Sequence, residues 1–260
     1  MMSRLPLAAA LLGLLIPASL PAQDAAPLSA LARMPVTEFA LKYKDVYKLE
    51  LPITPPRGLR NRFDNSRQAE LARLLQEPKV MHNLRLTNDS KHPLTTAPVL
   101  ILKEDTVLAQ GLMTYTPVGG DMDLPITAAM DIVMRKSDKE DKRVPNVERW
   151  EGNPLNRVEL SGQISLTNRK DKAVNLEVTR YVLGNLTGTD AGGKLEMMNG
   201  MEDVDAGVIG WTDTLPVWWN WYDWPGWWNY YNGLGKATWT LTLEPGKKAD
   251  LSYSWNYLWR

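Results

Sequence analysis

Apolar and polar side chains alternate along most of this chain. From Val36 to Leu51 the apolar residues sit on odd positions: Phe39, Leu41, Tyr43, Tyr47, Leu49 and Leu51. Lys42, Lys44, Lys48 and Glu50 fill the other face. A period of two describes a strand with one buried face, because successive strand side chains point to opposite sides. The same period predicts strands at His82–Asn88 and Leu124–Met134, the latter apolar at every even position, and Val107–Val118 reads as strand between them. Val158–Leu166 alternates cleanly, and after a polar turn at Asn168–Asp171 the residues Val174, Leu176 and Val178 read as its partner strand. Near the C-terminus Ala237, Trp239, Leu241 and Leu243 form one face. Pro245-Gly246 turns the chain, and Ala249, Leu251, Tyr253, Trp255, Tyr257 and Trp259 form the next face. That pattern predicts a hairpin of two long, one-sided strands. Pro98–Lys103 (PVLILK) does not alternate, and reads as a central strand covered on both faces.

One segment carries a helical period. In Asp64–Gln76 the residues Leu71, Ala72, Leu74 and Leu75 form a stripe, with Asn65 as the cap and Gln68 completing a capping-box pattern. Glu77-Pro78 ends it, since a residue before proline leaves the helical region. Pro52–Arg62 is rich in Pro and Arg and reads as loop, and Arg135–Arg143 (RKSDKEDKR), with no apolar residue, reads as a solvated loop at a sheet end. Seven or eight strands separated by polar turns predict an all-β antiparallel β-sandwich, immunoglobulin-like or related, with one short helix near the N-terminus. Two stretches echo each other: RLTNDSKHPL from Arg85 and SLTNRKDKAV from Ser165 both run strand, Leu-Thr-Asn, charged turn, next strand.

The first 22 residues have a different pattern. Arg4 is the only charge before Asp24, Leu5–Ile16 is apolar, and small residues follow to Ala22. This is the layout of a secretory signal peptide, with cleavage expected after Ala22. The apolar run is shorter than the ~20 residues a membrane span needs. Cleavage removes one arginine and no acid, leaving 29 basic and 30 acidic side chains and a net charge of −1. The chain then divides into a signal peptide (1–22), a leader strand, Pro/Arg loop and helix (23–76), and a β-sandwich domain (77–260) with a Trp-rich loop at 211–232. Export to the periplasm, the cell envelope or the exterior is the expected address.

Composition narrows the chemistry. Zero cysteine excludes disulfides, thiolate catalysis and Cys-ligated metals. Balanced charge gives no polybasic nucleic-acid surface. His82 and His92 flank the first Leu-Thr-Asn turn without a third ligand, and read as surface or edge histidines. Asp121, Asp123, Glu202, Asp203 and Asp205 fit no known calcium loop. Gly233-Leu-Gly235-Lys236 lacks the phosphate-loop frame and runs into a strand. Asn88-Asp-Ser90 and Asn185-Leu-Thr187 match the glycosylation pattern. No catalytic residue, metal ligand or cofactor is assigned.

From Glu77 to Arg260 the chain resembles the C-terminal β-domain of mucoidy-inhibitor-A-like proteins, a family of domains of unknown function. The pieces that carry the likeness are MHNLRLTNDSKHPLTTAPVLIL from Met81, GLMTYTPVGGDMDLPIT from Gly111, NRVELSGQISLTNRKDKAVNLEVTRYVLGN from Asn156 and LEPGKKADLSYSWNYLWR from Leu243. Family members often carry an N-terminal domain and a coiled coil ahead of this part. These 260 residues contain neither, so functions carried there do not transfer. The resemblance implies an exported β-sandwich-like domain and supplies no catalytic residue.

The aromatic residues are the sharpest feature: 11 Trp against 2 Phe, with only Trp150 ahead of Trp211. Trp218, Trp219, Trp221, Tyr222, Trp224, Trp227, Trp228, Tyr230 and Tyr231 crowd around Pro225-Gly226. Three readings follow: indoles packed into one end of the sandwich, an exposed platform for sugar rings, or a lipid-interface contact. The expectation is that part of this cluster is exposed and binds a ligand or partner. The expected function is a non-catalytic structural or interaction module of the cell envelope, acting through the aromatic loop or a sheet edge. The alternative is a carbohydrate-binding module or carbohydrate-active enzyme that uses the same rings.

Overall fold

The computed structural model describes residues 40–51, 53, 78–198, 225 and 227–260. The helix expected over Asp64–Gln76 lies outside them. Twelve strands account for most of the described chain: β1 (Lys42–Leu51), β2 (Met81–Thr87), β3 (Ala97–Lys103), β4 (Thr106–Met113), β5 (Asp121–Ala128), β6 (Ile132–Trp150), β7 (Asn153–Asn168), β8 (Val174–Leu183), β9 (Asn185–Thr189), β10 (Lys194–Met198), β11 (Leu234–Leu243) and β12 (Lys248–Trp259). A single helical turn, α1 (Trp228–Tyr231), precedes β11. The fold is all-β, as the alternation predicts.

The chain forms two compact units. The larger holds Tyr47–Met81 and Ala128–Arg260, and the smaller holds His82–Thr127 with the described residues up to Val46. In the larger unit two sheets form a sandwich, one ordered β10-β11-β8-β1 and the other β6-β7-β12-β9. The pairings β10–β11, β11–β8, β6–β7, β7–β12 and β12–β9 are antiparallel, while the second half of β1 joins β8 in parallel. The predicted inward positions are buried: Val158, Ile164 and Leu166 from β7, Leu176 and Val178 from β8, Trp239 from β11, and Leu251 and Trp255 from β12. Each such aliphatic side chain contributes about 1.5–3 kcal/mol through burial. Gly162 is fixed by packing, since a Cβ there would sit 2.3 Å from Cζ of Tyr253. Gly162→Ala is therefore expected to lower stability by about 1–3 kcal/mol, read as a lower urea midpoint. An unchanged midpoint would contradict this contact.

The smaller unit packs Leu41, Leu86, Leu94, Val99, Ile101, Met122 and Leu124 into its own core. Arg85 clamps Asp123 through two hydrogen bonds of 2.6 and 2.8 Å.

The two echoing segments make the same hydrogen-bond cage, one in each unit. Asn168 Nδ2 donates to the carbonyls of Lys172 and Leu243, and its Oδ1 accepts from Lys170 N. Asn88 Nδ2 donates to the carbonyls of His92, Thr116 and Pro117, and its Oδ1 accepts from Ser90 N. The backbone groups match too. Gly246 N donates to Asn168 O and Asn168 N to Lys247 O, while Gly119 N donates to Asn88 O and Asn88 N to Gly120 O. Both asparagines are fully buried, so Asn88 cannot serve as a glycosylation acceptor. Asn185, in the other matching tripeptide, is exposed.

Four readings of the sequence need correction. First, β11 and β12 are not a hairpin: β11 pairs with β8 and β12 with β7, so the Pro245-Gly246 turn crosses between sheets. Second, β7 and β8 also lie in opposite sheets, and the Asn168 cage ties the two crossings together. Third, Arg135–Arg143 is strand, inside the long edge strand β6, which returns into β7 through Glu151-Gly152. Both turn residues have positive φ, as a two-residue type I′ turn requires. Fourth, β3 is covered on one face only: Val99 and Ile101 are buried, and Leu100 and Leu102 are exposed.

Candidate functional site

The aromatic end of the larger unit is built by α1, the tip of the β6–β7 hairpin and the end of β12. Pro225 starts the turn, accepting a hydrogen bond from Trp228 N at 3.0 Å. Asn232 ends it and anchors it to β12, accepting from Leu258 N and donating to Leu258 O. Helical spacing then sorts the side chains. Residues 227, 228 and 231 share one side of the turn and residue 230 falls off it.

The packing follows that sorting. Trp227 and Trp228 are 2% and 1% exposed. Trp228 lies 5.8 Å from Tyr257 and 5.5 Å from Trp259, and Trp227 lies 5.9 Å from Trp259. Tyr231 is half-buried, edge-on to Trp150, and its hydroxyl donates to Arg149 O. Tyr230 is 75% exposed and stacks on Trp150 with ring centroids 5.1 Å apart and 30° between the planes. The Arg260 guanidinium lies over Trp227. The indole N–H of Trp227 is buried and has no hydrogen-bond partner among the described residues.

Of the nine aromatic residues singled out from the sequence, the structure thus places four. Trp227 and Trp228 belong to the core and are unavailable as contact residues. Tyr230 is open, and Tyr231 supports it. Trp218, Trp219, Trp221, Tyr222 and Trp224 lie outside the described residues. Trp150, Arg149 and Arg260 complete the aromatic end and were not singled out. The signal for Trp150 was its isolation beside a Glu-Gly turn.

A second cluster lies between the sheets. Arg180 is 1% exposed at an inward position of β8. It donates to Asp138 Oδ2 and to the Tyr253 hydroxyl, both at 3.1 Å. Lys136 donates to the same carboxylate oxygen at 2.7 Å, and Tyr253 donates to the other at 2.5 Å. Burial alone would raise the Asp138 pKa, but the charges of Arg180 and Lys136 hold it below its ordinary value. Burial and the Arg180 charge push Lys136 down, and burial pushes Tyr253 up. A hydrogen-bonded charge network of this kind fixes how sheets meet.

Glu202, Asp203 and Asp205 lie outside the described residues, and among the described ones the remaining candidates do not converge. His82 bonds Asp45 at 2.6 Å and His92 is an exposed turn residue. Asp123 pairs with Arg85, and Asp121 accepts from Thr87. Among the described residues no group of three or more His, Cys, Asp or Glu gathers as a metal site. A trough of about 590 Å³ on the β6-β7-β12-β9 sheet is lined by Ser161, Gln163, Ser252 and Ser254 together with the charged Lys139 and Asp190. Compared with protein-family profiles, curated proteins and solved structures, the chain matches none.

Proposed function

We propose that this chain is an exported, non-catalytic interaction module that docks a protein partner through the aromatic end of its larger unit. The observation that carries this reading is Tyr230, an exposed ring held on Trp150, with Arg260 over Trp227 in the same aromatic end. Tyr, Trp and Arg are the residue types that dominate interface energetics. A ring fixed by stacking loses little freedom when a partner arrives. The signal-peptide pattern of residues 1–22 and the family resemblance support export.

The carbohydrate reading needs coplanar exposed rings. Here Tyr230 covers Trp150 instead of lying beside it, so the described aromatics of this end offer a single open ring face. Titrating intrinsic Trp fluorescence with soluble glycans and with liposomes tests this. No saturable shift is expected with either. A saturable blue shift with glycans would replace the protein-partner reading by the carbohydrate one, and a shift with liposomes would replace it by membrane contact.

A further inference from the structure

β3 and β4 form a two-stranded antiparallel sheet in the smaller unit. One face packs inward through Ala97, Val99 and Ile101. The other face is open: Leu100, Leu102, Val107 and Leu112 are 46%, 41%, 58% and 61% exposed, and Pro98 and Gln110 are exposed with them. The register sets these six side chains in three rows: Pro98 with Leu112, Leu100 with Gln110, and Leu102 with Val107. A bulge beside Leu102 keeps Val107 on the same side as Gln110 and Leu112. These six positions comprise five apolar side chains, one amide and no charge, and Leu108 at the bulge is a further exposed apolar residue of the hairpin. On β7, by contrast, Glu159, Ser161, Gln163 and Ser165 alternate with the buried apolar residues. A strand that is apolar on both sides is one with two covers, and the described residues supply only one.

We propose that the second cover is the same face of another copy of this chain, packed sheet against sheet about a two-fold axis. The middle row decides the occupant. An axis along the Leu100–Gln110 row sets each Gln110 over its mate, Leu112 over Val107 of the other copy, and Pro98 over Leu102 of the other copy. An amide both donates and accepts, so the two Gln110 side chains satisfy each other. A lipid phase offers that amide no partner, and stranding it there is costly. The charged tip, Lys103-Glu104-Asp105, falls at opposite ends of the pair and brings no like charges together. A single hairpin face is smaller than the ~800 Å² per partner of a standard interface, so association is weak and concentration-dependent.

Sedimentation velocity of the full chain over rising concentration tests the proposal. A reversible monomer–dimer equilibrium is expected, and Leu112→Lys should sediment as monomer throughout with an unchanged melting curve. The chain has no cysteine, so Gln110→Cys gives a single reactive site. A short bis-maleimide should join that variant to its mate far faster than it joins Met130→Cys, an exposed position of the larger unit. If Leu112→Lys fails to fold, this comparison decides. A wild type that stays monomeric, a dimer that survives Leu112→Lys, or equal cross-linking at 110 and 130 would overturn the proposal. So would liposome binding that Leu112→Lys abolishes.

Discussion

Asp138→Ala is expected to destabilise the larger unit by about 3–5 kcal/mol at neutral pH. The loss comes from what the substitution leaves behind. Arg180 is 1% exposed, and its charge sits between two sheets with the Asp138 carboxylate as its counter-ion. Removing that carboxylate takes a counter-charge from a buried guanidinium and an acceptor from the Tyr253 hydroxyl and from Lys136. Replacing the network together by Asp138→Leu, Arg180→Met and Tyr253→Phe should recover most of the loss, because well-packed apolar groups often equal a buried ion pair. A triple variant as unstable as Asp138→Ala would contradict the account. The described tryptophans all belong to the larger unit, so Trp fluorescence during urea unfolding reads this directly.

The same pair sets a pH dependence. The folded Asp138 pKa is depressed below its ordinary value. Its stabilisation is therefore complete above the unfolded value of ~3.9 and is lost as pH falls through the lower folded value. The gap in stability between wild type and Asp138→Asn should close over that acid window and stay constant from pH 5 to 7. A gap that does not narrow as pH falls below the unfolded value would sink the assignment.

Asn168→Ala is the second large effect, at about 3 kcal/mol or more. The side chain makes three hydrogen bonds of 2.9 Å, and it is fully buried. Its loss leaves the Leu243 carbonyl without that donor at the point where β7–β8 and β11–β12 cross between sheets. Each buried polar group left unmade costs about 1–3 kcal/mol. Asn168→Asp separates geometry from chemistry. It keeps the shape but turns an acceptor toward two carbonyls, so it should be at least as damaging as alanine. A tolerated aspartate would show that the cage is not what holds the crossings.

The strands were legible because a sandwich buries one face of each, and period two records that burial residue by residue. Their partners were not legible. A turn such as Asn168–Asp171 or Pro245-Gly246 can close a hairpin or cross to the facing sheet, and alternation is the same in both. The Leu-Thr-Asn echo was the available clue, since a buried Asn at each strand end bonds across to the other crossing. The charged run in β6 read as loop because an edge strand can carry charges on both sides. Lys136 and Asp138 point inward there because Arg180 interrupts the inward series Val174, Leu176, Val178 on β8. A charge on an apolar face was the signal for that pair, and only tertiary structure supplies its partner. The aromatic cluster was legible as a feature but not in its division. One helical turn commits Trp227 and Trp228 to the core and leaves Tyr230 outside.

The central claim is that this aromatic end meets a protein. A photo-cross-linking residue, p-benzoylphenylalanine, placed at position 230 tests it most directly in the cells that make the chain. Position 130, also exposed and in the larger unit, serves as the control. The account predicts a discrete protein adduct from position 230, absent from position 130 and lost when Trp150→Ala removes the stacking support. The same adducts from both positions, or none from position 230, would contradict it.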